Sequence, residues 1–215
     1  SVPTGNFGAV FAGYVAAQMG LPVARLVVAT NVNDILHRAL TNGDYSAGTV
    51  TPTATPSMDI QVSSNFERLL FDLSGRDGAA IMGMMGEFDR NRAMTIPADM
   101  LAGARGLFSS ASIDGDAMAL ALRWAQERGG QIIDPHSAVG LAAARALEID
   151  ADIPVVTLAT AHPAKFREAV ERATGVRPAL PPRLGNLFER EERFTKLPGD
   201  YDAVKAFILA EAARG

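Results

Sequence analysis

Thr4-Gly5-Asn6-Phe7-Gly8 runs without a break into AVFAGYVAAQMG, an uncharged, alanine-rich stretch with the composition of a helix. N–H groups in the first turn of a helix lack intrahelical acceptors and carry partial positive charge. A glycine-bearing turn there lets an anion come close to the main chain. A phosphate cradle and a plain turn both fit the pattern. Gly5, Gly8 and Gly13 do not form the G-x-G-x-x-G dinucleotide fingerprint, and no Gly-Lys-Ser/Thr is present, which excludes a Walker loop. A second cluster, Asn31, Asn33, Asp34 and Arg38, follows the apolar run ARLVVA. Parallel sheets bind ligands just beyond the carboxyl ends of their strands, so these residues are candidates for a substrate wall. Arg38 is a residue type that grips phosphate, and equally one that sits solvated on a helix. His37, His136 and His162 stand apart without metal-ligand spacing, and no metal is expected. His136 is read as facing a ligand or capping a helix, with the cap favoured; His162 is read as ordering its loop.

The elements that must position these residues alternate between strand and helix. The first helix is expected over Phe7–Met19, and nothing before the loop reads as a strand. ARLVVATN reads as a buried parallel strand, and NVNDILHRALTNG as an amphipathic helix with a glycine stop. DYSAGTVTPTATPSMDI has no apolar period and reads as a long functional loop. Helical spacing then runs from SSNFERLLFDLSG to IPADMLAGARGLF, with Ser64 or Asn65 as N-cap, giving a helical insertion at about 64–107. FSSASID reads as a strand, GDAMALALRWAQERGG as a helix, QIIDPHSAVGLAAARALEI as a short strand entering a helix, and IPVVTLATA as a buried strand. HPAKFREAVERATG and DYDAVKAFILAEAA read as helices around a proline-rich, charged segment, with a C-terminal extension at about 176–215. Alternation of this kind implies an α/β fold, an open parallel sheet with flanking helices.

Composition narrows the class. With 215 residues, 48% of them hydrophobic, the chain can bury a sizeable core without staples. Zero cysteines exclude disulfides and thiolate chemistry and fit a cytoplasmic protein. Net charge is −4 and the basic residues are scattered, so no nucleic-acid partner is expected. No charge precedes Arg25, but Pro3, Asn6, Gln18 and Pro22 interrupt the run. The first helix would span only about 20 Å against roughly 30 Å of hydrocarbon. It reads as a buried helix, and no membrane partner is expected.

Six segments in this order, PTGNFG, ATNVND, MDIQVSSNFERLLF, DPHSAVG, TAHPAKF and FTKLP, closely resemble the C-terminal half of the threonine synthase family of fold-type-II pyridoxal-phosphate enzymes. The resemblance implies that the whole chain is the C-terminal part of the cofactor-binding large domain, truncated. It implies pyridoxal 5'-phosphate as cofactor, with Gly5, Asn6, Phe7 and Gly8 cradling its phosphate and the Thr160 hydroxyl meeting the pyridine nitrogen. Asn31, Asn33, Asp34 and Arg38 would line the substrate side, and MDIQVSSN would shape its mouth. The implied reaction converts O-phospho-L-homoserine and water to L-threonine and phosphate. The family tethers its cofactor to a lysine upstream of the glycine-bearing loop, and Lys165, Lys196 and Lys205 do not match it. The chain is therefore expected to need the N-terminal half of the same protein and to be inactive alone. The alternatives are another fold-type-II enzyme, such as a serine/threonine dehydratase or a sulfhydrylase, and a non-catalytic phosphate-binding fragment.

Overall fold

Leu26–Thr30 is buried at every residue, as a strand covered on both faces must be, and it is the centre of the sheet. The structure is a computed structural model that describes residues 1–147, 149–150 and 152–213. Residues 1–179 form one compact unit and residues 180–215 a second. In the first unit β1 (Val2–Pro3), β2 (Leu26–Thr30) and β5 (Phe108–Ser112) make a parallel sheet in the order β1-β2-β5. β1 is a correction to the sequence reading. Two residues carry no periodic signal, yet Val2 pairs with Val28 and Pro3 with Ala29.

Alternate residues of β2 serve two cores. Leu26 and Val28 pack with Phe7, Val10, Ile35, Leu69 and Phe108, on the side covered by α1 (Gly8–Gln18), α2 (Ile35–Asn42) and α3 (Phe66–Leu73). Val27 and Ala29 pack with Leu122 of α6 (Gly115–Gly129) and with Ala138 and Val139 of α7 (Pro135–Ala146). The period-2 alternation of a strand thus appears as a partition between helical layers.

The insertion is not wholly helical. α4 (Gly78–Asn91) and α5 (Ala98–Arg105) flank β4 (Ala93–Thr95), which pairs antiparallel with β3 (Asp44–Ser46), a strand inside the stretch expected to be loop. Three-residue strands are too short for periodicity, and this pair is held by Tyr45, whose ring stacks against Phe66 at 5.3 Å and packs on Phe88 at 4.9 Å. Asn65 is the N-cap of α3, but its side chain makes no capping bond.

Three other expectations change. QIID is not a strand; it leads directly into α7. The helical reading there extended through Glu148, outside the described residues. α1 is apolar, but Val10 is its one buried residue among those described. Its Phe11 and Val15, with Met19 just beyond its end, line an open groove of about 720 Å³ with Phe71 and Ile81. IPVVTLATA is not a strand either, and Val155, Val156 and Leu158 are exposed. It makes a single parallel rung with Ser1, whose N–H donates to the Val156 carbonyl at 2.7 Å and whose carbonyl accepts from Leu158 N–H at 3.0 Å. Apolar composition had promised a buried strand; hydrogen bonding supplies one rung. α8 (Arg167–Thr174) closes the first unit, and α9 (Tyr201–Ala212) lies in the second. No helix among the described residues is long and apolar enough to cross a membrane.

Candidate functional site

Parallel strands deliver their carboxyl ends to one edge of the sheet, and the candidate residues follow those ends. β1 continues into Thr4, whose N–H donates to the Ala29 carbonyl at 2.7 Å, and then into Gly5-Asn6-Phe7-Gly8. Phe7 is the N-cap of α1 with φ 64°, a left-handed conformation unusual for a bulky residue. Burial compensates the strain. The Phe7 ring is 1% exposed and packs edge-on against Phe66 at 5.2 Å and near Phe108 at 5.7 Å.

The carbonyls of this loop are occupied from outside it. Ser63 Oγ donates to the Gly5 carbonyl at 2.9 Å, and Asn65 Nδ2 donates to the Asn6 carbonyl at 2.8 Å. This is where the Asn65 side chain goes instead of capping α3. Among the described residues no side chain caps α1, so its first-turn N–H groups have no capping acceptor. The two glycines differ. A Cβ on Gly5 would sit 2.7 Å from the Ser57 carbonyl, whereas one on Gly8 would meet only Asn65 Nδ2, at 3.5 Å. Gly5 is required by the protein's own packing; Gly8 leaves open room at an uncapped helix start. Uncapped first-turn N–H groups of this kind are the donor set that anions take at helix starts.

Beyond β2, Asn31 and Asn33 are buried and tie down the Thr-rich loop. Asn31 Nδ2 lies within 3.0 Å of Thr53 Oγ1, Thr55 Oγ1 and Asp59 Oδ1, and Asn31 Oδ1 accepts from Asn33 N–H at 2.8 Å. Asn33 Nδ2 donates to the Thr51 carbonyl at 2.9 Å, and its Oδ1 accepts from Thr51 N–H at 2.8 Å. Arg38 donates to Asp34 at 3.0 Å, to Asp44 at 2.5 Å and to the Ser46 carbonyl at 2.7 Å. Burial alone would lower the Arg38 pKa, but Asp44 and Asp34 outweigh it and hold the guanidinium more firmly charged. The Ser46 hydroxyl, ahead of Arg38, lowers the pKa of Asp44.

The third group gathers at the start of α7. Asp134, fully buried, is the N-cap, a role the sequence reading had favoured for His136. Its carboxylate accepts from His136 N–H at 2.9 Å, from His136 Nδ1 at 3.2 Å and from the Ser137 hydroxyl. Burial pushes this carboxyl up, but the bonds from His136 and Ser137 outweigh it and the net shift is downward. Thr160 is exposed, and its N–H donates to Ser137 Oγ at 3.0 Å. His162 caps the short turn Pro163–Phe166 by accepting from Ala164 N–H at 3.1 Å. His37 Nδ1 lies 2.9 Å from Ser110 Oγ. Lys165, Lys196 and Lys205 are exposed, each beside a neighbouring aromatic ring.

Asp59, Ser57, Ser63 and Ser137 escaped residue-level reading, and Asn65 was read only as an N-cap. Asp59 is the clearest case. It meets Asn31 and Asn33 across 28 and 26 positions of sequence, a separation at which no local pattern signals contact.

The family model for the C-terminal region of threonine synthase matches residues 137–208. Threonine synthase of Pseudomonas aeruginosa is 48% identical over 216 residues, covering 100% of this chain and 46% of that protein. By sequence and by fold, the chain belongs to the threonine synthase family, in its C-terminal region. The crystal structure of PLP-bound threonine synthase from Brucella melitensis superposes with a TM-score of 0.90 at 47% identity, over 97% of this chain and 45% of that one. Yeast threonine synthase gives the same TM-score at 34% identity, over 100% of this chain and 47% of that one. The chain thus spans about half the length of the family members it matches.

Proposed function

We propose that the protein to which this chain belongs is a cytoplasmic, pyridoxal-phosphate-dependent threonine synthase. It would convert O-phospho-L-homoserine and water to L-threonine and phosphate. The observation that carries the proposal is the match of the whole of this chain to about half the length of threonine synthases, together with an uncapped α1 start at a glycine whose Cβ would meet only Asn65 Nδ2. Pyridoxal phosphate, when bound, supplies an electron sink for the substrate's carbon skeleton.

In this reading Gly5, Asn6, Phe7 and Gly8 hold the cofactor phosphate at the helix start, and the buried Phe7 ring keeps the loop from collapsing. Thr160 offers its hydroxyl to the ring nitrogen. A hydroxyl carries no charge, so it orients that nitrogen without enforcing its protonation as a carboxylate would. Asn31, Asn33, Asp34 and Arg38 form the substrate-side wall, Asn31 and Asn33 by fixing the loop over residues 51–59 and Arg38, with Asp34, by gripping Asp44 and Ser46. The lysine that tethers the cofactor is supplied by the N-terminal half of the protein, and the whole chain 1–215 belongs to the cofactor-binding large domain, with its insertion and C-terminal extension.

The test is turnover by the full-length protein loaded with pyridoxal phosphate. Stoichiometric threonine and phosphate from O-phospho-L-homoserine is the expected result. Deamination of serine without phosphohomoserine turnover would replace the assignment with a dehydratase, and absence of any cofactor binding would remove it.

A further inference from the structure

His136 Nε2 lies 3.3 Å from the backbone N–H of Ser57. A backbone N–H can only donate, so Nε2 must be the unprotonated nitrogen. That puts the ring proton on Nδ1, facing Asp134 Oδ1 at 3.2 Å. The imidazole is buried against Phe166, centroid to centroid 4.6 Å. Ser57 is the residue whose carbonyl walls Gly5, 2.7 Å from where a Cβ would stand. From the other oxygen of Asp134 the chain of bonds runs through the Ser137 hydroxyl to Thr160 N–H. One buried carboxylate thus connects to two loops, at Ser57 and at Thr160, and none of the proposed cofactor or substrate residues is a link between them.

We propose that Asp134 is a positioning residue with two separate arms, His136–Ser57 fixing the wall of the glycine loop and Ser137 fixing Thr160. The inference rests on the cofactor reading above, since it gives the arms the two ends of one ligand to hold: the phosphate at Gly5–Gly8 and the ring nitrogen at Thr160. Asp134 touches neither end. The arms diverge at its two oxygens, so cutting one leaves the other standing. Placing one buried anion between them makes the spacing of the loops a property of the start of α7, a helix that packs on β1 closely enough that a Cβ on Gly140 would lie 3.0 Å from Pro3 Cδ.

The two arms are separable by isosteric substitution in the full-length protein. His136→Asn places its amide where Nδ1 was, keeping the Asp134 contact and losing Ser57. His136→Gln reaches the Nε2 position and restores an acceptor for Ser57 N–H. Ser137→Ala cuts the second arm, removing the hydroxyl's bonds to Asp134 and Thr160, and leaves the His136 arm in place. With pyridoxal phosphate as probe, His136→Asn is expected to weaken cofactor binding about five- to tenfold, the scale of one buried hydrogen bond. It should also shift the ³¹P resonance of the bound phosphate and leave the visible absorption maximum in place. His136→Gln should recover most of the affinity. Ser137→Ala should move the absorption maximum and leave the ³¹P resonance unchanged. If both single-arm variants change both signals together, or neither signal changes in variants that remain folded by circular dichroism, the two-arm assignment is overturned. If the wild-type protein gives no bound ³¹P signal, the cofactor reading itself fails first, and a wild-type signal with an unsplit response sinks only the positioning claim.

Discussion

The loop at Gly5–Gly8 and the segment at Thr160 end on the same edge of the sheet and are held in opposite ways. The first continues a paired strand, buries Phe7, and has its carbonyls bound by Ser63 and Asn65. The second is exposed, with one hydrogen bond to Ser137 and one rung to Ser1 nearby. Backbone strain at Phe7 is tolerable only because the surrounding packing over-determines it, and no comparable packing surrounds Thr160. The contrast teaches that the Gly5–Gly8 loop is pre-formed by local core packing, while the segment at Thr160 depends on a buried polar relay.

Three measurements test that contrast, all in the full-length protein. The largest effect is expected at Asn31, because the Thr-rich loop hangs from it. Asn31→Ala removes its contacts with Thr53, Thr55 and Asp59 from a buried place. Losing these buried hydrogen bonds, while Thr53, Thr55 and Asp59 keep only their bonds to one another and to Asn33, should cost about 2–4 kcal/mol in urea denaturation. A loss under 1 kcal/mol would show that the loop does not depend on this side chain.

Next come the two glycines, which separate packing from ligand binding. Gly5→Val forces a branched side chain onto the Ser57 carbonyl, and overpacking of this kind costs about 1–3 kcal/mol. Both stability and cofactor affinity should fall. Gly8→Ala meets only ordinary contact, so stability should stay within about 0.5 kcal/mol, while cofactor affinity drops because the methyl occupies the open cradle. Equal behaviour of the two variants would erase the distinction drawn between them.

The smallest effect lies on the acid side of the relay. Asp134 has its pKa held below the usual carboxylate range when folded, so it binds a proton more readily unfolded than folded. Its stabilisation is complete above about pH 4 and is lost as pH falls through the folded-state value. Asp44, lowered chiefly by Ser46, and Asp72, lowered chiefly by Tyr14, act in the same direction. Asp134→Asn should therefore be less stable at pH 7 and decline less steeply than wild type between pH 5 and pH 3, read from urea midpoints. Parallel curves would remove Asp134 from the acid transition.

Much of this was open to reading from the residues. Long apolar or amphipathic periods located α1, β2, β5, α6 and α9 to within a residue or two, and α2 with its start read four residues early, because side-chain spacing dictates which face an element buries. The glycine-bearing loop at a helix start was visible for the same local reason: an uncapped first turn is written in four or five consecutive residues. What the sequence could not carry were pairings whose partners lie far apart. β1 and β4 exist because a neighbouring strand offers them hydrogen bonds, and IPVVTLATA, for all its β-branched residues, makes one rung, with Ser1, among the described residues. Likewise the capping role at α7 went to Asp134 rather than His136, and the histidine became a buried acceptor for Ser57, 79 positions away. Local propensity and spacing chose the elements. Which polar groups face one another at the sheet edge was decided only when the chain closed, since a buried donor or acceptor must find its partner in space, whatever the distance along the sequence.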